Sequence, residues 1–265
     1  MQATTMSVGG GGQAPIAFQV PNAPPGIKQV AVGSASHVWL VKHDGTMARL
    51  VNRVWRPVAG AASKLSVGAD GTVYSVNAQH AVFRFVPMTG QWQSVPGALV
   101  DVACGSAQHV WGVNAQQEIF QLNVASGQWT KVSGAASQVA CGSDGKAYVI
   151  NVNNDAYWWN GGGWTQVPGV KLKALSVLNG NSVLGIDTTG NVVRFDGATQ
   201  QWPPVVGSAP GLTCVAHGAG QVYYAVNAAG QLLTAQPGFG GGMGGGMPGM
   251  GGMPGAGGMP GGGMP

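Results

Sequence analysis

The sequence has little charge, few cysteines and no long hydrophobic run, and each shortage excludes a class of protein. Only 12 basic and 8 acidic residues occur among 265, or 8%, against roughly 25% in an ordinary soluble domain. Charged helix bundles, coiled coils and highly charged disordered chains are therefore excluded. The 3 cysteines are an odd number and argue against a disulfide framework. No stretch approaches about eighteen uninterrupted apolar residues, so we expect no membrane-spanning segment.

The basic residues are few, and they are unevenly distributed along the sequence. The net charge is +4, and six of the twelve basic residues fall between Lys28 and Lys64. This excess favours an anionic surface, but it lacks the dense basic stripe of a nucleic-acid binder, so we expect no nucleic-acid partner. The N-terminus has neither a basic segment nor an apolar one typical of a secretory signal. We therefore expect a cytoplasmic protein, with unconventional release as its route outward.

The most informative feature of the sequence is an internal repeat. Trp55, Trp92, Trp129, Trp164 and Trp202 lie 37, 37, 35 and 38 residues apart, and each opens a short phrase such as Trp92-Gln-Ser-Val-Pro-Gly. An apolar-small-apolar triplet and two further apolar runs follow each phrase. Each unit is thus four short runs divided by Gly, Asn, Asp and Ser turns, which is typical of antiparallel strands joined by hairpins. The pattern predicts an all-β fold: a six-bladed β-propeller of four-stranded antiparallel blades.

The ends of the repeat predict how the ring closes. The sixth unit stops near Ala235 without a fourth strand, whereas Phe18-Gln-Val-Pro-Asn resembles the missing phrase. We expect residues 16–20 to complete the last blade, which removes an exposed edge strand. The predicted organisation is a flexible arm over 1–13, a propeller over 14–235, and a disordered Gly/Met/Pro tail over 236–265. The approximate blades are 27–60, 61–97, 98–134, 135–169, 170–207, and 208–235 with 16–20.

The repeat resembles that of the tectonin family. The resemblance lies in the Cys104–Asn114 phrase with Val110-Trp-Gly-Val-Asn, in Glu118-Ile-Phe-Gln and in Trp129-Thr-Lys-Val-Ser-Gly, and it extends over about residues 16–235. It is weakest in unit five, where Leu184 replaces Trp or Tyr. The resemblance implies a six-bladed lectin, similar to fungal members without a signal peptide. Tectonins of this kind bind bacterial lipopolysaccharide or O-methylated sugars in innate defence; others are scaffold modules in membrane trafficking.

The sequence offers little for catalysis or metal binding. Six of its seven aspartates stand beside turn residues, which indicates backbone hydrogen bonding. No histidine pair has close metal-ligand spacing, and Cys104 and Cys141 occupy positions where other units carry valine. We therefore predict no enzyme, no cofactor and no metal site.

A sugar site needs an aromatic face and a few fixed polar groups, and three repeated sets are the candidates. We predict that carbohydrate is bound by aromatic residues of the second strand, polar residues at its end and arginines of the third strand. Each set also has a structural alternative, because the aromatics can be core and the asparagines turn formers. The three sets are Trp39, Tyr74, Trp111, Tyr148 and Tyr224; Asn77, Asn114, Asn151, Asp187 and Asn227; and Arg49, Arg84 and Arg194.

Two functions follow from these observations. The first is a multivalent lectin, a monomer or weak homo-oligomer, that binds O-methylated or lipopolysaccharide glycans through repeated sites and agglutinates cells by avidity. The second is a scaffold propeller that binds proteins without sugar specificity. Equivalent exposed clusters between blades favour the lectin, whereas one large apolar patch favours the scaffold.

Overall fold

The computed structural model describes residues 16–235, and its regular elements there are all β-strands. The predicted arm (1–13) and the predicted disordered tail (236–265) lie outside the described residues. None of the residues in the described range forms a helix of the length and apolarity that a membrane crossing requires.

The strands follow the sequence repeats, and each unit below is named by its strands. A short strand, β1 (Phe18–Gln19), comes first. Unit one is β2 (Ile27–Ser34), β3 (His37–Lys42), β4 (Thr46–Val51) and β5 (Val54–Ala61). Unit two is β6 (Lys64–Val67), β7 (Val73–Val76), β8 (Ala81–Val86) and β9 (Gln91–Ala98). Unit three is β10 (Asp101–Ser106), β11 (His109–Val113), β12 (Glu118–Asn123) and β13 (Gln128–Ala135).

The remaining units are less regular. Unit four is β14 (Gln138–Cys141), β15 (Ala147–Ile150), β16 (Asp155–Trp159) and the first half of β17 (Trp164–Asn179). Unit five is the second half of β17 with β18 (Ser182–Asp187) and β19 (Val192–Arg194). Unit six is β20 (Leu212–Gly218), β21 (Val222–Asn227) and β22 (Leu232–Thr234).

The strands form small antiparallel sheets in a propeller-like arrangement, but the prediction of six separate four-stranded blades is wrong. The described residues form five sheets, four of four strands and one of six. The physical reason is β17, which does not break between units four and five. Its first half pairs with β16 through Trp158↔Thr165, and its second half pairs with β18 through Leu175↔Gly185. Six sequence units therefore share five sheets.

The predicted fourth strand of unit five is also absent from the described range. Around Trp202 the chain makes only the isolated bridges Val193↔Pro204 and Asp196↔Gln201. Pro203 and Pro204 follow the tryptophan directly, and neither has an N–H to donate to a ladder. Their carbonyls remain usable, and the Pro203 carbonyl accepts a bond of 3.0 Å from the Arg194 N–H.

The N-terminal strand joins the last sheet, as the Phe18–Asn22 phrase predicts. Strand β1 pairs with β22 through Phe18↔Thr234 and Gln19↔Leu233, which gives the sheet order β1-β22-β21-β20. Segments from both ends of the described range therefore complete one sheet, and the exposed edge that β22 would otherwise present is covered.

The inner strands surround a channel. Six of them, β2, β6, β10, β14, the second half of β17 and β20, line a cavity of about 210 Å³. Neighbouring inner strands approach so closely that a Cβ on Gly105 would overlap the carbonyl of Gly142. Glycine is therefore required at that point by space alone.

The hydrophobic core lies between neighbouring units. One cluster joins Tyr74 and Val82 of unit two to Val102 and Leu122 of unit three, and comparable clusters fill the other junctions. The second strands are covered on both faces, and all four residues of β7 are buried. Outer strands such as β9 are exposed along most of their length. Burial between sheets is the main source of stability in this arrangement.

Candidate functional site

The second-strand aromatics do not form a sugar site, because they are core residues. Each is at most 3% exposed. The ring of Trp111, for example, packs against Trp159 and Trp164 with ring centroids 6.0 and 5.9 Å apart. A ring covered on both faces cannot stack on a pyranose. The prediction that these residues bind carbohydrate is therefore wrong for Trp39, Tyr74, Trp111, Tyr148 and Tyr224.

The strand-end polar residues all make one kind of turn. In each hairpin the side-chain Oδ1 accepts the backbone N–H groups two and four residues further on, and for Asn77 these bonds measure 3.0 and 2.9 Å. This is the turn-forming role of such residues. The acceptor half of each side chain is thus engaged in its own hairpin. The other members are Asn114, Asn151, Asp187 and Asn227.

The donor half of the side chain distinguishes Asn77 from the other asparagines of the set. The amide Nδ2 of Asn114 donates to the Glu118 carboxylate over 2.7 Å, because Glu118 lies four residues further on. Asp155 and Gln231 accept the equivalent bonds from Asn151 and Asn227. In unit two this position is Ala81, which has no acceptor. Within residues 16–235 the Asn77 amide nitrogen therefore has no hydrogen-bond partner.

Asn77 lines a groove between units one and two. The groove has a volume of about 530 Å³, and its lining includes Phe83, Trp92 and Met47 as well as Asn77. Phe83 and Trp92 are half-buried, so part of each ring remains accessible. Lys28, Lys42, His43 and Asp44 contribute charged or ionisable groups to the same lining. This combination of aromatic faces and polar groups makes the groove the candidate site.

Trp92 also holds the two units together. Its indole Nε1 donates to the Ala59 carbonyl of unit one over 2.9 Å. Trp129 and Trp164 make the same bond to Pro96 and Ser133 of the preceding unit, over 2.6 and 2.7 Å. The repeated phrase therefore serves packing between units, and Trp92 presents a ring to the groove in addition.

Sequence reasoning did not find the aromatic residue Phe83, although a signal for it exists. Phe83, Phe120 and Tyr157 occupy one equivalent position of the third strand, where Phe83↔Ser75, Phe120↔Gly112 and Tyr157↔Val149 are the paired residues. All three are half-buried. The repetition is visible in the sequence, but only the fold shows that this position borders a groove.

The three arginines lie outside the groove. Arg49 packs over the rings of Trp39 and Phe85, with its guanidinium carbon 5.8 and 5.4 Å from the two centroids. Arg84 is exposed on β8. Arg194 lines a separate polar pocket of about 250 Å³. The structure does not bring these arginines together with Asn77.

Charged groups of the groove are partly engaged. The Asp44 carboxylate accepts bonds from the Thr46 hydroxyl and N–H, over 2.6 and 2.9 Å, and lies 3.5 Å from the Lys42 ammonium. These contacts, the Thr46 hydroxyl first, hold the pKa of Asp44 below its usual value. Lys28 donates to the Ser63 carbonyl over 3.2 Å.

Two buried ionisable groups have structural roles. His217 is buried between units five and six, where Ser176 Oγ and the Ser182 hydroxyl and carbonyl contact its ring at 2.8, 3.1 and 2.9 Å. Burial lowers the pKa of His217 to about 4 and raises the pKa of the Cys141 thiol to about 12. Across residues 16–235 there is no group of three His, Cys, Asp or Glu side chains placed to hold a metal ion.

The fold and the groove define a propeller-like, all-β protein with a candidate ligand groove between repeated units. Residues 26–223 match the model of the tectonin domain, and the chain therefore belongs to the tectonin family. Tectonin-2 of Physarum polycephalum is 43% identical over 56 residues, which is 21% of this chain and 16% of that protein. The matched segment thus spans a small part of this relative.

Similar solved structures support the fold alone, because their identities are low. A protein of unknown function from Bacteroides thetaiotaomicron is 14% identical with a TM-score of 0.63, and the match covers 84% of this chain and 72% of that one. The U3-55K structure is 9% identical with a TM-score of 0.62 and coverages of 84% and 99%. The RRP9 WD40 repeats are 11% identical with a TM-score of 0.60 and coverages of 82% and 79%.

Proposed function

We propose that this protein is a lectin whose carbohydrate site is the groove between units one and two. The observation that carries the proposal is that Asn77, whose amide has no partner within residues 16–235, lines the same groove as Phe83 and Trp92. An aromatic face packs against the C–H surface of a pyranose, and a fixed amide donates to a hydroxyl oxygen. Few precisely placed polar groups in a mostly apolar groove are typical of small-ligand sites.

The finer proposal concerns the glycan. Met47, Phe83 and Trp92 give the groove apolar surface that can receive an O-methyl group. We therefore propose O-methylated or lipopolysaccharide glycans of foreign cell surfaces as targets, in innate defence. Phe120 and Tyr157 repeat the aromatic position in units three and four, so weaker sites there would add avidity and support agglutination.

The test is a binding array that carries O-methylated sugars and bacterial lipopolysaccharides, probed with two groove variants. Asn77→Asp keeps the acceptor of the turn, as Asp187 shows in unit five, and removes the donor. Ala81→Glu supplies the acceptor that Glu118 provides in unit three and engages the Asn77 amide. Because a lost hydrogen bond to ligand costs about 1 kcal/mol or more, we expect each variant to weaken binding about tenfold.

Two control variants keep this test specific. Asn227→Asp changes an amide that is already bonded to Gln231, and Ala125→Glu adds a charge at an exposed turn of unit three. Both should bind as the wild type does. If Asn77→Asp and Ala81→Glu also bind as the wild type, the groove is not the site.

A protein-interaction scaffold is the alternative function. The outer strands β5, β9 and β13 are each terminal in their sheets and largely exposed, and such edges can accept a further strand from a partner. A blank array from the folded protein would favour this function. The next measurement would then be a search for a protein partner that binds β9 or its equivalents.

A further inference from the structure

The groove between units one and two carries hydrogen-bond donors that have no partner within residues 16–235. Asn77 Oδ1 already accepts two backbone N–H groups. The Asp44 carboxylate accepts two bonds from Thr46 and lies 3.5 Å from the Lys42 ammonium. These two acceptors of the lining are thus engaged within the protein. The Asn77 amide, in contrast, is free to donate.

Lys28 adds a cation to the same lining. Its ammonium contacts the Ser63 carbonyl at 3.2 Å, and no carboxylate of residues 16–235 lies within 4.0 Å of it. Ser63 connects Lys28 to the site, because its hydroxyl donates to the Asn77 carbonyl over 3.1 Å. An ammonium group has three donors and no acceptor, so two of its hydrogens remain available to a ligand.

The surroundings of Lys28 are positive as well. Lys28 lines both the groove and the central channel. Lys64 of unit two lines the channel as well. The Lys64 ammonium lies 4.0 Å from Asp101, whose carboxylate already accepts the N–H groups of Val102 and Val139 over 3.1 and 3.0 Å. Half of the basic residues of the chain lie in the stretch of sequence from Lys28 to Lys64.

We infer that the groove takes an acidic saccharide, whose phosphate, sulfate or carboxylate group accepts hydrogen bonds from Lys28 and the Asn77 amide. The inference rests on the proposed lectin function and names its substrate class. An oxyanion accepts hydrogen bonds from both groups, and its negative charge is attracted by an ammonium that no carboxylate of residues 16–235 pairs with. Charge-assisted bonds to an oxyanion are also stronger than neutral ones.

Lys173 provides a matched control for Lys28. Lys28 follows the pair Ile27↔Lys42, and Lys173 follows the equivalent pair Leu172↔Asp187 in unit five. Both residues line the channel, but Lys173 does not belong to the lining of the groove. Lys28→Gln and Lys173→Gln therefore remove the same charge from equivalent places, one at the site and one away from it.

The experiment uses the full chain and an array of matched glycan pairs, each with and without a sulfate, phosphate or carboxylate group. A second arm follows the Asn77 side-chain amide by NMR during titration with inorganic phosphate. We expect the acidic member of a pair to bind about tenfold more tightly. Lys28→Gln should remove that preference and the phosphate-induced shift, while Lys173→Gln should retain both.

The outcomes separate this inference from the lectin proposal. If neutral and acidic members bind alike and Lys28→Gln changes neither, the acidic substrate class is wrong and the lectin function stands. If no saccharide binds but phosphate shifts the Asn77 amide only when Lys28 is present, the oxyanion site stands and the lectin function is wrong. If neither saccharide nor phosphate binds to the folded protein, both are wrong.

Discussion

Units two to four and units five and six are joined by different chemistry. In the first region an indole N–H crosses each junction: Trp129, for example, donates to the Pro96 carbonyl of unit two. Between units five and six the crossing group is His217, bonded to Ser176 and Ser182. In both regions the first three strands of a unit lie side by side in chain order. The comparison teaches that the repeat determines the sheets, whereas the groups that join them can differ.

The largest effect is expected from removing an indole in the first region. Trp129→Ala deletes a half-buried ring that packs in the cluster of Tyr74 and Leu122, so we expect a loss of about 3 kcal/mol in the free energy of unfolding. Trp129→Phe keeps a ring and loses only the bond to Pro96, and we expect about 1 kcal/mol. Chemical denaturation measures both.

The order of these two losses decides whether the ring or its hydrogen bond joins the units. If Trp129→Phe destabilises the protein as much as Trp129→Ala does, the bond to Pro96 is the dominant contribution and apolar packing is secondary. Gly97→Ala tests the same junction independently, because a Cβ at this position would lie 2.8 Å from the Trp129 indole nitrogen and would displace the ring.

The second region should make stability depend on pH. Burial lowers the pKa of His217 to about 4 from its usual 6.5 and so favours the neutral ring in the folded state. Its contribution is complete above pH 6.5 and is lost as pH falls towards about 4, because the unfolded state binds a proton that the folded state does not. We expect a loss of about 2 kcal/mol between about pH 8 and about pH 5.

A variant isolates the contribution of His217. His217→Val introduces the residue that units one and two carry at the equivalent places, Val32 and Val67. The variant should be less stable at neutral pH, since Ser176 and Ser182 lose a partner, but its stability should fall less between the two pH values. If the stability of both proteins depends equally on pH, His217 is not the source of the pH dependence.

The sequence predicts much of the fold because its repeat is regular. Membership of the tectonin family is confirmed, the all-β fold is confirmed, and β1 pairs with β22 as the Phe18 phrase predicts. The number of separate sheets is wrong because composition does not show that β17 continues from unit four into unit five. Pro203 and Pro204 are visible in the sequence, but the repeat of the tryptophan phrase masks their effect on the ladder.

The candidate site is less predictable than the fold. A repeat identifies equivalent positions, but it does not tell which of them are covered by the next unit, and Trp39 and Tyr74 are covered. The groove depends on two units at once, and on a difference between them. Asn77 and Asn114 are equivalent in sequence, yet only the contact with Glu118 shows that one amide is engaged. That contact is a property of the folded hairpin.

The smallest effect is expected from opening a second groove in the first region. Glu118→Ala copies Ala81 of unit two and frees the Asn114 amide in the unit that carries the half-buried ring of Phe120. It also frees Lys131, whose ammonium is paired with Glu118. Because this pair is exposed, its removal should cost less than about 1 kcal/mol in stability. We expect total sugar binding to rise about twofold, as a second site of similar chemistry forms.

A double variant tests whether the gain in sugar binding comes from the free amide. In the double variant Ala81→Glu with Glu118→Ala, the acceptor moves from unit three to unit two, and binding should move from the groove beside Asn77 to the groove beside Asn114. NMR signals of the two side-chain amides distinguish the sites. Two results together would contradict this prediction: the double variant does not bind sugar, and Glu118→Ala binds as the wild type does. The free amide is then not sufficient, and residues that only the groove between units one and two contains, such as Lys42 and Met47, are required as well.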